Sequence, residues 1–318
     1  MERVKGIEYL TSIVKSMPPE EVVCLFWKVV CLRYDIIKNH MKFVKEIIDI
    51  NICDIGAGES EDVPFLKSIV NNCNTHVTGF EPNLDQFNKL ISNEKKKYFN
   101  FAIGDGGKNK FNICKAPGMS SFLIPSKEYN KMFHHFNEWG AILKTLDLET
   151  RKLDDIEKEK RFDLIKIDVQ GYENEIINYG KQTIKDALVV QIELSPVPSY
   201  VNSKPFGHVT KELESLNFHL HQFSKIETRS FKPLVVEGDT MRGLHYLYQL
   251  DCVFVKNFDE VENFSLNDLL KLSHIMYYGF NAFDFVDFLF QIIDRKYNKN
   301  YLIKFRDIVK GFKVNKIY

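Results

Sequence analysis

The chain has 318 residues, with 43 Lys and Arg residues against 43 Asp and Glu residues, and 44% of its residues are hydrophobic. This length is enough to bury a large core and exceeds one compact unit of ordinary size. Because the charges balance, the chain lacks the basic field that attracts nucleic acids and anionic membranes, so we expect neither as a partner.

The sequence predicts neither a membrane span nor a metal site. The most apolar early segment, residues 22–32, contains Lys28, is too short to cross a bilayer and begins too late for an ordinary signal peptide. The six cysteines form no C-x-x-C pair and no Cys/His cluster with zinc spacing. We therefore interpret them as reduced core residues of a cytoplasmic protein that holds no metal ion.

The predicted elements begin with a helical extension over residues 1–49, where the Pro-Pro-Glu-Glu run at 18–21 marks a helix start. From residue 50 to 257 strand and helix patterns alternate, which predicts parallel strands joined by crossover helices. The predicted strands cover residues 50–55, 76–81, 99–103, 142–147, 164–168, 187–193, 219–226 and 251–255. The predicted helices cover residues 60–70, 84–96, 153–159, 172–179 and 209–216. The last two strands lack a convincing helix between them, so we expect an antiparallel pair.

Residues 258–318 are predicted to form a C-terminal helical extension, with helices over 268–278, 282–295 and 301–309. The aromatic-rich face of this region is interpreted as core or as a partner contact. The terminal helices are therefore the candidate surface for a homo-oligomer.

The first predicted strand ends in a glycine turn that indicates a nucleotide-type ligand. A dinucleotide fingerprint that starts at Gly56 would need a glycine at position 61, where Glu61 stands and would repel a pyrophosphate. S-adenosylmethionine has no phosphate and carries a sulfonium cation, so an acidic turn suits it better than NAD or FAD. The residues predicted to contact it here are Asp54, Gly56, Ala57 and Gly58. A helix cap built from Ser60, Glu61 and Asp62 is the alternative interpretation, and both can hold together.

Two further acids follow the next predicted strands. Glu81 lies about 20 residues beyond the glycine turn, where α/β nucleotide folds place a carboxylate on the ribose hydroxyls. Pro82 ends that strand and fixes its turn. Asp105 follows the third strand, and either an adenine contact or ordinary turn chemistry would explain it.

The chain resembles the FkbM-type methyltransferases over roughly residues 50–256. The segments that carry the resemblance are DIGA at 54–57, FEP at 80–82, GMSSF at 118–122, LDDI at 153–156, KIDVQGYE at 166–173 with Gly180 following, QIE at 191–193 and DCVFV at 251–255. The resemblance implies a Rossmann-like class I methyltransferase fold, whose mostly parallel seven-stranded sheet has an antiparallel last strand. It also implies O-methyl transfer from S-adenosylmethionine to a hydroxyl of a small molecule or glycan, such as a sugar, a surface polysaccharide or a natural product.

Methyl transfer requires the acceptor oxygen to be aligned about 3 Å from the sulfonium methyl, and a group that takes up its proton. Asp168 ends the strand at 164–168 and is the first candidate both for the cofactor and for catalysis. Glu173 lies one turn into the next helix, where a catalytic role and compensation of the helix dipole are both open. Lys166 shares a strand face with Asp168, and it either contacts the substrate or pairs with a carboxylate of the fold. Glu193 ends the next strand and could bind an acceptor hydroxyl, or a cation with Asp168, although two carboxylates alone do not predict a metal site.

Further acceptor contacts are expected from two loops. The segment at 116–131 is long enough to cover a substrate, and its Ser120 and Ser121 are candidate substrate contacts. His208, in the segment that follows Glu193, is a candidate catalytic base, although most such histidines are ordinary surface residues.

Two other functions remain open. A non-catalytic binding or scaffold protein would keep the same core, but it would be expected to lose the strand-end acids Asp54, Glu81, Asp168 and Glu193, all of which are present. A nicotinamide-dependent oxidoreductase is disfavoured by Glu61 and by the lack of a basic residue in the first turn.

Overall fold

The structure is a computed structural model that describes residues 40–58, 63–156 and 160–309. The predicted helix start at 18–21, the cap formed by Ser60, Glu61 and Asp62, and the end of the predicted helix at 153–159 lie outside the described residues. The described residues divide into two compact units, one within 47–299 and the other formed by 40–46 with 300–309. The predicted domain boundaries after residues 49 and 257 stay predictions.

The larger unit is built on a seven-stranded sheet. The strands of the described residues are β1 (Asp49–Ile55), β2 (Asn74–Phe80), β3 (Lys96–Phe99), β4 (Ala102–Ile103), β5 (Lys108–Cys114), β6 (Ile142–Arg151), β7 (Leu164–Ile167), β8 (Val189–Leu194), β9 (Phe218–Arg229) and β10 (Tyr246–Lys256). Seven of them form one sheet in the order β3-β2-β1-β7-β8-β10-β9. β1, β2, β3, β7 and β8 are parallel, whereas β10 is antiparallel to both of its neighbours. The predicted sheet, with its antiparallel last strand, is therefore confirmed.

The helices of the described residues range from one turn to four turns in length. They are α1 (Pro64–Asn72), α2 (Leu84–Phe87), α3 (Lys127–Asn130), α4 (Phe136–Trp139), α5 (Glu173–Asn178), α6 (Lys181–Asp186), α7 (Phe206–Ser215), α8 (Phe258–Val261), α9 (Leu266–Phe280), α10 (Phe283–Tyr297) and α11 (Tyr301–Val309). Short 3-10 turns cover His40–Phe43, Pro117–Met119 and Leu153–Asp155. The helical C-terminal region is thus present as expected.

Several element predictions are wrong in extent, and three of them are shortened or interrupted elements. The helix predicted over 84–96 stops at Phe87, and further on the Asn93 side chain accepts from the main-chain N–H groups of Lys95 and Lys96 and forms the turn into β3. The strand predicted over 99–103 is broken where Asn100 turns its side chain to the carbonyls of Glu81 and Pro82. The described part of the helix predicted over 153–159 is a 3-10 turn at Leu153–Asp155.

β4, β5 and β6 form a second sheet in the order β4-β6-β5. The strand predicted over 142–147 is part of β6, which is four residues longer at its end. β5 had no counterpart among the predicted strands, because its opening Lys-Asn-Lys shows no apolar alternation.

The strands at the centre of the main sheet carry continuous apolar runs because both faces of the sheet are covered. All four residues of β7 are buried, and in β8 only Glu193 is partly exposed. On one side α9 lies against α1, where Ser68 donates to the carbonyl of Tyr278 and the rings of Phe65 and Phe280 stack at 5.0 Å. This packing fixes α1, which begins just beyond the glycine turn of β1.

The described part of the smaller unit joins residues 40–46 to α11. The ring of Tyr301 lies 5.6 Å from that of Phe43, and its hydroxyl donates to Glu46. Within the described residues of the chain, no helix is both long and apolar enough to cross a membrane.

Candidate active site

A cavity of about 770 Å³ opens at the edge of the sheet where β1, β2, β7 and β8 end. Parallel α/β sheets bind their ligands at this edge. The antiparallel β10 begins there, so its first residues also reach the cavity. Eight of the predicted site residues line it: Gly56, Gly58, Glu81, Pro82, Ser120, Lys166, Asp168 and Glu193.

The glycine turn after β1 brings two strand ends together. Gly56 has a φ of +81°, and a β-carbon at this position would lie 1.8 Å from the carbonyl oxygen of Asp168. Only glycine allows this approach of the two backbones. Ala57 is buried beside the turn and does not line the cavity. The turn therefore sets the end of β1 directly against the end of β7.

Glu81 is held by the backbone at the end of β2. Its Oε1 accepts from the N–H of Asn83 at 2.7 Å, and the N–H of Gly58 also donates to this carboxylate. A β-carbon on Gly58 would lie 2.8 Å from Oε2, so the glycine leaves the space that the carboxylate fills. Burial raises the pKa of Glu81 to about 7, against the opposing effect of these hydrogen bonds. The result is an oriented carboxylate whose charge depends on pH near neutrality.

Lys166 connects three residues at the floor of the cavity by ion pairs and a hydrogen bond. Its Nζ lies 3.1 Å from Asp54 Oδ1 and 3.7 Å from Asp168 Oδ2, and it donates to the carbonyl of Gly56 at 3.1 Å. Burial opposes the charge on Lys166, but Asp54 and Asp168 outweigh it and raise the pKa of the ammonium. The fully buried Asp54 lies beneath the cavity surface and Asp168 lies on it. The sequence left open whether Lys166 contacts the substrate or pairs with a carboxylate of the fold. The structure shows the second arrangement, with Asp54 and Asp168 as the carboxylates.

Gln170 connects the two acids predicted to face the acceptor. Its Nε2 donates to Asp168 Oδ1 at 2.8 Å and to Glu193 Oε2 at 2.7 Å, while the Tyr200 hydroxyl donates to its Oε1 at 3.2 Å. The backbone of Gln170 is left-handed, with a φ of +56°, which is rare for a residue other than glycine. This conformation turns the amide back over the end of β7. Gln170 is a site residue that the sequence prediction missed, although it stands inside the KIDVQGYE segment.

Four of the predicted site residues point elsewhere than into the cavity. The Asp105 carboxylate accepts from the N–H of Gly107, from Asn109 and from Thr150, so it organises its own turn. Ser121 is buried and accepts from the N–H of Leu123. None of Asp105, Ser121, Glu173 and His208 is among the lining residues of the cavity.

Glu173 and His208 differ in their surroundings. Glu173 is buried, and its carboxylate accepts from the N–H of Gly171 at 2.9 Å, which braces the turn between β7 and α5. Burial raises the pKa of Glu173 to about 7. His208 is exposed near the start of α7. The catalytic roles predicted for these two residues stay predictions.

The far wall of the cavity comes from β9 and β10. Successive side chains of a strand point to opposite faces, so residues two apart share a face. Lys225, Arg229, Gln249 and Asp251 line the cavity in this way, together with the ring of Tyr248. No site residue was predicted on these two strands. Polar residues stand at every second position from Lys225 to Arg229, and this pattern could have indicated a polar face that lines a site.

The segment between β5 and β6 covers one side of the cavity. Its residues Met119, Phe136 and Trp139 line the cavity, and Met119 and Phe136 belong to a buried cluster with Tyr248. Ser120 also lines the cavity, and its hydroxyl accepts from the N–H of Cys114. That this segment covers a bound substrate stays a prediction.

The acids of the site do not form a metal centre of recognisable type. Within the described ranges, no group of three or more His, Cys, Asp or Glu side chains is arranged to hold a metal ion. Asp168 and Glu193 instead share the amide of Gln170.

Known proteins resemble this chain in sequence and in fold. A family model described as the methyltransferase FkbM domain matches residues 54–220. The 2-O-methyltransferase NoeI of Sinorhizobium fredii is 28% identical over 154 residues, which cover 46% of this chain and 59% of that protein. The chain therefore matches less than two thirds of that relative's length.

Solved methyltransferase structures are similar at low identity. The methyltransferase FkbM from Methylobacillus flagellatus KT is 12% identical, with a TM-score of 0.37, and the match covers 69% of this chain and 47% of that chain. The precorrin-6y C5,15-methyltransferase from Geobacter metallireducens GS-15 is 11% identical, with a TM-score of 0.31, over 71% of this chain and 87% of that chain. Since the family match covers more than half of its residues, this chain belongs to the FkbM methyltransferase domain family, which uses S-adenosylmethionine.

Proposed function

We propose that this protein transfers the methyl group of S-adenosylmethionine to a hydroxyl of a sugar, either in a small molecule or in a glycan. One observation carries the proposal: a single cavity holds the oriented carboxylate of Glu81 beside the glycine turn and, further along, the carboxylates of Asp168 and Glu193. The carboxylate of Glu81 can accept hydrogen bonds from a ribose, and the carboxylates of Asp168 and Glu193 can accept one from an acceptor hydroxyl.

The half of the cavity near β1 and β2 fits the cofactor. Glu81 would accept hydrogen bonds from both ribose hydroxyls, since two backbone N–H groups already fix its orientation. Phe80, Ala102 and Ile103 line the adjoining apolar part of the wall, where an adenine ring would find apolar contact. The backbone at Gly56 and Gly58 leaves room for the methionine end.

The half near β7, β8 and β10 fits the acceptor. Bound S-adenosylmethionine supplies an electrophilic methyl group, and the chain must align a hydroxyl oxygen with it and accept the proton. Asp168 and Glu193 present carboxylate oxygens whose orientation is fixed by Gln170. A cavity of about 770 Å³ is within the range of pockets that enclose ligands of drug size.

The acceptor class is supported by the character of the wall and by one relative. Carboxylates, amides and aromatic rings line the acceptor half, and these groups bind sugar hydroxyls and sugar ring faces. NoeI, the relative described above, is named as a 2-O-methyltransferase.

The test is transfer of label from methyl-labelled S-adenosylmethionine to a panel of sugar acceptors. We expect labelled methyl ether in at least one acceptor. Glu81→Ala should lower kcat/KM by about 100-fold or more, because it removes a charge-assisted contact to the cofactor. Glu94→Ala, which removes a carboxylate from an exposed position outside the cavity, is the matched control and should leave transfer unchanged. A folded wild-type protein that neither binds S-adenosylmethionine nor transfers label would contradict the proposal and favour the scaffold alternative.

A further inference from the structure

We propose that Asp251 binds the reacting hydroxyl of a neutral sugar acceptor and takes up its proton, with Gln249 beside it as a second contact to the sugar. This inference rests on the proposed function and assigns the acceptor half of the same cavity. It also names the class of acceptor, an uncharged and hydroxyl-rich ring, and not an anionic one.

The topology of the sheet brings Asp251 to the site. Because β10 runs antiparallel to β8, an early residue of β10 lies beside the end of β8, and Asp251 is in register with Glu193. On the other side Asp251 is in register with Lys225 of β9. Gln249 lies two residues before Asp251 and on the same face, and both side chains line the cavity.

Asp251 is the carboxylate of this wall that is left available to a ligand. Glu193 Oε2 accepts from Gln170 and, at 2.9 Å, from Gln249, and Asp168 is held by Gln170 and Lys166. Across the described part of the chain, no hydrogen bond or ion pair uses the side chain of Asp251. A partly buried carboxylate with nothing to accept from is satisfied when a ligand hydroxyl donates to it.

The cations of the wall are already paired, which argues against an anionic acceptor. Glu227 binds Lys225 through Oε1 and Arg229 through Oε2, the latter at 2.8 Å. The guanidinium of Arg229 also lies 5.2 Å from the centre of the Tyr248 ring. An acceptor carboxylate or phosphate would have to displace Glu227 and then face Asp251, Glu193 and Asp168, a like-charge arrangement that costs binding energy.

The surroundings of Asp251 suit a proton acceptor near neutral pH. The charged groups that surround it are Lys225 and Glu227 on β9, Glu193 on β8, Lys166 on β7 and Asp168 directly after β7. Burial raises the pKa of Asp251 to about 6; Lys225 opposes this shift and Asp168 adds to it. A base with this pKa is ionised at pH 7 and still basic enough to share the proton of an alcohol as the alcohol reacts.

In the proposed step the acceptor oxygen attacks the methyl carbon. The new carbon–oxygen bond forms as the carbon–sulfur bond breaks, its electron pair stays on sulfur, and the hydroxyl proton passes to Asp251. The products are the methyl ether and neutral S-adenosylhomocysteine. No oxidant, reductant or metal ion enters the balance.

The wall that carries Asp251 lies beyond the segment that the family model matches. The family model matches residues 54–220 and so ends before Lys225, Arg229, Tyr248, Gln249 and Asp251. The cofactor half of the cavity lies within the matched segment, whereas the wall formed by β9 and β10 lies outside it.

The experiment uses Asp251→Asn, Gln249→Leu and the control Asp259→Asn, each in the full chain. Asp259 lies exposed on α8 and outside the cavity, so its substitution makes the same change of charge without touching the site. Binding of S-adenosylmethionine is measured by calorimetry, and transfer to a neutral glycoside and to its uronate is measured from pH 5 to pH 9.

We expect Asp251→Asn to bind S-adenosylmethionine as the wild type does and to lower kcat by about 100-fold or more, with loss of the acid limb of the pH profile near pH 6. Gln249→Leu should raise KM for the glycoside more than it lowers kcat, and Asp259→Asn should match the wild type. The wild type should use the neutral glycoside in preference to the uronate.

Several results would overturn the assignment while leaving the proposed function intact. One is a wild-type rate in Asp251→Asn with its pH profile unchanged, and another is a preference for the uronate. If Asp251→Asn loses S-adenosylmethionine binding as well, the residue serves the cofactor and the assignment is wrong. A wild-type protein that binds no S-adenosylmethionine would instead remove the proposed function, and this inference with it.

Discussion

Binding of S-adenosylmethionine is predicted to weaken as the pH falls through neutrality, because Glu81 must be ionised to accept hydrogen bonds from two ribose hydroxyls. Burial raises the pKa of Glu81 to about 7 in the free protein. The carboxyl is then about nine-tenths ionised at pH 8 and about one-tenth ionised at pH 6. The apparent Kd should therefore rise about tenfold between these pH values, which corresponds to about 1.4 kcal/mol.

Calorimetry can measure this linkage in two independent ways. The Kd is determined at pH 6, 7 and 8, and the enthalpy at pH 7 is measured in buffers of different ionisation enthalpy. We expect release of about half a proton per cofactor bound at pH 7, since the bound state requires the ionised Glu81. Glu81→Gln keeps the shape of the side chain and cannot titrate, so it should bind more weakly and lose this share of the proton release. Any titration of the ligand itself is common to both proteins.

A wild-type affinity as dependent on pH as that of Glu81→Gln would refute the reasoning. It would mean either that Glu81 is ionised throughout this range or that its charge does not contribute to cofactor binding. The backbone N–H groups of Asn83 and Gly58 stabilise the ionised form, and burial outweighs them to give the raised pKa on which this prediction depends.

Three predictions concern stability, and each is checked by urea unfolding. Gly56→Ala should lower the free energy of unfolding by about 3 kcal/mol or more through backbone strain and the clash with the end of β7, whereas the control Gly207→Ala, in open space on α7, should not destabilise. Lys166→Met should cost about 3–5 kcal/mol by leaving Asp54 buried without its cation, and adding Asp54→Asn should recover part of this loss. Because its pKa is raised from 4.5 to about 7, Glu173 contributes stability below pH 4.5 that is lost as the pH rises through 7. Glu173→Gln should therefore gain up to about 3 kcal/mol relative to the wild type between pH 5 and pH 8, and a difference that does not change with pH would contradict this.

The strand-end acids of the cavity could be predicted because they follow buried strands directly. Glu81 and Asp168 each come after an apolar run, and the carboxyl ends of parallel strands meet at one edge. Asp105 follows a strand in the same way, but its carboxylate turns to Thr150 and the backbone beside it. Whether a strand-end acid faces the cavity, as Glu81 and Asp168 do, or its own turn, as Asp105 does, depends on the side-chain rotamer and the turn geometry. The pattern of residue types specifies neither.

The wall formed by β9 and β10 could not be predicted as part of the site because its position depends on strand register. Asp251 stands at the start of its predicted strand, 58 positions after Glu193, and only the antiparallel pairing of β10 with β8 sets the two side by side. Gln170 was missed for another reason, since its role requires a left-handed backbone that glutamine rarely adopts. Long helices were easier: the predicted helix at 268–278 lies within α9, because apolar periodicity marks such helices.

The most direct test of the central claim is a crystal structure of the protein with S-adenosylhomocysteine. The account predicts that the ribose hydroxyls bind the Glu81 carboxylate, that the backbone at Gly56 and Gly58 contacts the methionine end, and that the sulfur faces the part of the cavity lined by Asp168 and Asp251. Density for the ligand at another place on the protein, or a ribose that makes no contact with Glu81, would contradict it.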